Sequence, residues 1–84
     1  MKFIAHIDIM PHDALLDPQG KAVESGLAKL QLPVLTRVRV GKHIQLQVEA
    51  GNAEEAEALL DSACRQLLAN TIMERYQFRL EALS

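Results

Sequence analysis

With 84 residues, about half of them hydrophobic and a quarter charged, the chain can build one domain with a thin core and no more. A formal net charge of −2, with acids and bases interspersed, argues against a nucleic-acid or anionic-membrane partner. No apolar run approaches the roughly 20 residues that cross a bilayer, and the single Cys64 rules out an internal disulfide and fits a reducing cytoplasm.

Phe3, Ala5, Ile7 and Ile9 alternate with Lys2, Ile4, His6 and Asp8, the period of a strand, and Pro11 ends the ladder. The polar residues in this stretch also argue against a signal peptide. Asp17-Pro18 predicts a helix start, because Asp accepts from a free backbone N–H and Pro at the first position loses no bond. Val23, Gly26, Leu27 and Leu30 share one face of that helix, and Pro33 is expected to stop it. Val34, Thr36, Val38 and Val40 alternate with Leu35, Arg37 and Arg39, which predicts a second strand. Gly41-Lys42 then reads as a tight turn in which Gly supplies a positive φ.

Ile44, Leu46 and Val48 mark a third strand, broken by Gly51-Asn52. Glu54, Glu55 and Glu57 crowd the start of a second helix, where they complement its dipole. Its buried face is expected to carry Ala56, Leu60, Ala63, Cys64 and Leu67, with Asn70 as a left-handed C-terminal stop. Tyr76, Phe78 and Leu80 form the last strand. The order βαββαβ predicts an α+β, ferredoxin-like fold, a four-stranded antiparallel sheet with two helices on one face. Its other face would hold Ile4, His6, Asp8, Leu35, Arg37, Arg39, Gln45, Gln47, Arg75, Gln77 and Arg79, either solvated or used for association.

The residue sets that catalysis needs are missing. Cys64 sits on an apolar helix face, and Ser25 and Ser62 lack a nucleophile elbow. His6, His12 and His43 show no metal-ligand spacing, and the glycines no phosphate-loop spacing. The acidic run Glu54, Glu55, Glu57 and Asp61 reads as a wet helix face. RNA recognition through a sheet needs stacking aromatics, which the strand His43–Glu49 lacks. An acylphosphatase-like anion loop is not offered by Met10-Pro11-His12-Asp13.

Three segments in register resemble the PurS family, the small subunit of phosphoribosylformylglycinamidine synthase. They are Leu16–Glu24 at the entry to the first helix, Val38–Lys42, and Leu67–Tyr76. Where relatives commonly place a Gly soon after the first helix, this chain has Leu30-Gln31-Leu32-Pro33, so a local loop difference is expected. The resemblance implies a non-catalytic, homodimeric or larger adaptor, assembled with a large synthetase subunit and a glutaminase subunit. It implies that ATP and Mg are used by the synthetase and that no cofactor is bound by this chain. Within these segments the candidate partner contacts are Arg39, Gly41, Lys42, Asp17, Gly20 and Asn70; Asp17 and Gly20 also read as a helix entry, Gly41 as a turn and Asn70 as a helix end, and none reads as catalytic or metal-binding. The competing reading is an ACT-like regulatory module that binds a small metabolite between two copies.

Overall fold

A computed structural model describes residues 1–83. Its elements are β1 (Lys2–Pro11), α1 (Pro18–Lys29), β2 (Lys42–Glu49), α2 (Ala53–Ala63) and β3 (Glu74–Ala82), and α2 runs on into a π-helical turn over Cys64–Leu68. The sheet is antiparallel in the order β2-β1-β3. Placing β1 at its centre agrees with the sequence, since Phe3, Ala5, Ile7 and Ile9 are all buried. With Leu60, Cys64 and Ala69 from the α2 side, Ala5, Ile7 and Ile9 form the main core. Ile44, Leu46, Leu68, Tyr76 and Phe78 pack around it.

Several expectations from sequence need correction, each for an identifiable reason. The sheet has three strands among the described residues, not four, because the segment 34–40 does not join it. Its backbone donors are spent elsewhere: Arg37 N–H goes to Glu24 Oε1 and Val40 N–H to Asp17 Oδ2. Arg37 also adopts a φ of 56°, which breaks an extended run. In consequence α1 does not lie on the sheet. It makes no substantial packing against another helix or strand, so α2 alone covers the inner face. The molecule measures 51 × 28 × 14 Å with a radius of gyration of 16.4 Å, against about 12 Å for a compact domain of this length.

Leu67, expected in the core, is 84% exposed. The π-turn is wider than an α-turn, so it rotates Leu67 outward and brings Leu68 onto the core instead. Tyr76 closes this end of the core by donating its hydroxyl to Asp61 Oδ1 at 2.6 Å. That bond and partial burial raise the phenol above its ordinary range. Asp61 also pairs with Arg65 one turn on, at 2.9 Å.

Both helix starts are capped, α1 by the Asp17 expected from sequence and α2 by Asn52, which the sequence marks only as a strand breaker. Asp17 accepts from Gly20 N–H at 3.0 Å, and Asn52 accepts from Glu55 N–H at 2.8 Å. The end of α1 is made by Gln31 and not by Pro33. Gln31 N–H donates to Ala28 O, Leu32 N–H donates to Leu27 O, and Gln31 takes the left-handed conformation at φ 68°. This is a Schellman ending with Gln where Gly is usual. A left-handed non-Gly residue costs roughly 1–2 kcal/mol, offset in part by the flexibility Gly brings to the unfolded chain. Gln31→Gly is therefore expected to raise stability by about 0.5–1 kcal/mol in denaturant titration.

Candidate partner-binding corner

The six residues singled out from sequence come together at one end of the molecule, where β1 finishes and α1, β2 and β3 begin. Asp17 is the buried hub. Its Oδ1 caps α1, and its Oδ2 accepts from Val40 N–H at 2.8 Å, across 23 residues of chain. The Val40 and Gly20 N–H bonds hold this carboxyl below the usual carboxylate range, against the opposing effect of burial. Gly20 is buried under it: a Cβ there would collide with Val38 O and crowd Asp17 Oδ2.

Arg39 turns back over the loop that follows β1. It donates from Nη1 to Leu15 O at 2.8 Å and from Nη2 to His12 O at 2.6 Å, while its Nε is buried without a partner. His12 in turn binds the turn before β3, through its N–H to Met73 O at 3.0 Å and with Nε2 3.3 Å from Thr71 O. Gly41 does not have the positive φ expected of a hairpin glycine. Its requirement is space, since a Cβ would meet Ile9 O and Met10 Sδ.

Lys42 is exposed and stands 3.7 Å from Glu74. Asn70 is one residue beyond the extended Ala69 that ends the π-turn and is not left-handed, contrary to expectation. It organises the turn into β3: its Oδ1 accepts from Ile72 N–H, its carbonyl accepts from Met73 and Glu74 N–H, and its own N–H donates to Glu74 Oε1. Asp17, Gly20, Arg39 and Gly41 thus shape the corner from within, while Lys42 and Asn70 lie on its surface.

His12, Glu24 and Glu74 belong to the same constellation, yet nothing in their sequence neighbourhood marks them, because their partners are distant in the chain. An open groove of about 740 Å³ runs along this corner between the loop after β1, α1 and residues 37–39, lined among others by Asp13, Leu16, Lys21, Glu24 and Arg37. Leu16, which lines it, and Met73, which shares a neighbouring hollow with Leu16 and Asn70, add exposed apolar surface there.

The same geometry bears on anion and nucleophile chemistry. At the start of α1, where a phosphate would sit, the carboxylate of Asp17 already accepts the free N–H. Glu54 and Glu55 hold the first turn of α2. Cys64 is fully buried, and desolvation, then Asp61, pushes its thiol upward.

Residues 4–82 match the family described as PurS, phosphoribosylformylglycinamidine (FGAM) synthase. The chain belongs to the PurS family. A PurS subunit from Synechocystis is 47% identical over 70 residues, covering 83% of this chain and 70% of the relative. PurS from Thermus thermophilus superposes with a TM-score of 0.87 at 38% identity, covering the whole of both chains. A chain in the structure of PurLQS from Thermotoga maritima superposes at 0.88 with 34% identity, covering 95% of this chain and 98% of that one. PurS membership explains why the three segments noted in the sequence stand in register: Leu16–Glu24, Val38–Lys42 and Leu67–Tyr76 all contribute to this corner.

Proposed function

We propose that this chain is the small, non-catalytic adaptor subunit of phosphoribosylformylglycinamidine synthase in de novo purine biosynthesis, working in the cytoplasm. The observation that carries the reading is the near-complete superposition on a chain of the Thermotoga PurLQS structure. In such a complex the glutaminase releases ammonia, and the synthetase uses ATP and Mg to activate the amide oxygen of formylglycinamide ribonucleotide so that ammonia can replace it. The adaptor holds the two together and contributes no reacting group. A buried Cys64 and helix starts already capped by Asp17 and Asn52 suit that role.

The adaptor works as a homodimer. A sheet with one helix on it and an arm with no packing are two halves of a single deficit. The arm, α1 with residues 30–40, exposes Val23, Leu30, Leu32, Val34 and Leu35. β2 pairs on one side only, leaving a free edge. A second copy supplies what each lacks: its segment 34–40 adds a strand along β2, and its α1 covers inner-face residues that α2 leaves half-buried. The four-stranded ferredoxin-like sheet and the second helix on its face are then formed between copies, and the chain remains one domain over 1–84.

The corner built on Asp17, Gly20, Arg39, Gly41, Lys42 and Asn70 meets the large subunits, with Lys42, Asn70 and the apolar Leu16 and Met73 as the touching residues. Adding the chain to matching synthetase and glutaminase subunits is expected to switch on glutamine-dependent formation of the amidine product. Full glutamine-dependent activity without it would end the adaptor reading and direct attention to metabolite binding by the isolated dimer.

A further inference from the structure

The sheet face opposite α2 carries two histidines on neighbouring strands. His6 on β1 stands opposite Gln45, and His43 on β2 stands opposite Asp8, so the two are diagonal neighbours. Their ring centroids are 5.8 Å apart and the planes are tilted by 37°. Each ring is held by a carboxylate. Nε2 of His6 lies 3.2 Å from Glu81 Oε2, and Nδ1 of His43 lies 2.7 Å from Asp8 Oδ1.

Those contacts select tautomers. In the neutral ring the nitrogen beside the carboxylate carries the proton, which leaves a free lone pair on Nδ1 of His6 and on Nε2 of His43. Neither nitrogen has a partner among the described residues. A histidine whose second nitrogen donates to a carboxylate is the usual arrangement around a bound metal, because it orients the ring and raises its basicity. Two imidazoles on one tetrahedral ion, with metal–nitrogen distances of about 2.0–2.1 Å, put their centroids roughly 5 Å apart. The observed 5.8 Å is within about 1 Å of that spacing.

We propose that His6 and His43 form a two-imidazole site for a borderline transition-metal ion, with Zn(II) or Cu(II) as the class of ligand and water completing the coordination. No group of three or more ligating side chains gathers among the described residues, so the site is open and its affinity modest. Asp8 and Glu81 balance the ion's charge, while Arg79, opposite His6 on β3, opposes it. Hard cations such as Mg(II), which favour oxygen ligands, do not suit it. Occupancy ties β1 to β2 on the face that no helix covers and stabilises the folded chain by mass action.

The test is titration of the metal-free full chain with zinc, copper or magnesium chloride, followed by thermal midpoint and histidine ring NMR. Zinc is expected to raise the midpoint saturably and to shift the rings of His6 and His43 but not His12, with no response to magnesium. Replacing the exposed His43 by Gln, which leaves the core untouched, should abolish the response, and Asp8→Asn should weaken binding by about 10-fold or more. A zinc response that persists in the His6→Gln/His43→Gln double variant, or unmoved His6 and His43 rings at millimolar zinc, would overturn the site.

Discussion

Val34→Asp is expected to convert the chain to a monomer and to remove its ability to support glutamine-dependent activity in the reconstituted complex. Val34 is 85% exposed in the single chain, so its substitution costs the isolated fold almost nothing. If segment 34–40 lies on a second copy, the same side chain is buried there. Losing the burial of one valine costs about 1.5–3 kcal/mol, and placing a carboxylate against apolar surface adds a desolvation cost. A two-fold interface contains every residue twice, so one substitution acts at both ends. The combined effect is at least about 3–6 kcal/mol, a loss in dimer affinity of 100-fold or more. Sedimentation equilibrium of wild type and variant reads this directly, with far-UV circular dichroism as the check on folding. An unchanged oligomer with Asp at position 34 would place the self-association surface elsewhere.

The arm also shows where sequence reasoning reached and where it stopped. The alternation in 34–40 is that of a strand, yet this segment is outside the sheet of its own chain. Its donors are taken by Glu24, 13 residues back, and by Asp17, 23 residues back. Hydrophobic period reports what a segment can pair with and not which copy supplies the partner. The three strands that do pair were legible from their own two-residue alternation, and the cap at Asp17 from its bond to Gly20 three residues on.

Leu67 was misplaced because a π-turn leaves no signature in a 3.6-residue pattern; only the swap of Leu67 for Leu68 reveals it. At the candidate site, family resemblance gathered Asp17, Gly20, Arg39, Gly41, Lys42 and Asn70 into one set. It could not tell that four of them face inward, since that depends on Val38 O, His12 O, Leu15 O and Ile9 O arriving from elsewhere in the chain.

Gly20 gives the sharpest test of that inward role. A glycine inside a helix normally costs about 0.5–1 kcal/mol relative to Ala, so Gly→Ala in α1 should stabilise by default. Gly26 provides the reference, because a Cβ there meets nothing within 4 Å. Gly26→Ala is expected to follow the default. Gly20→Ala is expected to go the other way, destabilising by about 1–3 kcal/mol, the usual cost of forcing an extra carbon into a filled site.

The collision is with backbone, Val38 O, so no side-chain rotation relieves it; α1 must tilt away from residues 38–40 or Asp17 must release Val40. Either movement re-aims the arm, and complex assembly should weaken along with stability. Asp17→Asn probes the same joint by charge. Its amide can accept one of the two N–H bonds and presents a donor to the other. The folded pKa of Asp17 lies below its unfolded value, so the carboxylate adds stability above the unfolded value of about 4, and that stability is lost as pH falls through the folded one. The difference between wild type and Asp17→Asn in urea titrations should therefore be full at neutral pH and narrow in that acid range. A gap independent of pH, or Gly20→Ala as stable as Gly26→Ala, would mean that the corner does not anchor the arm.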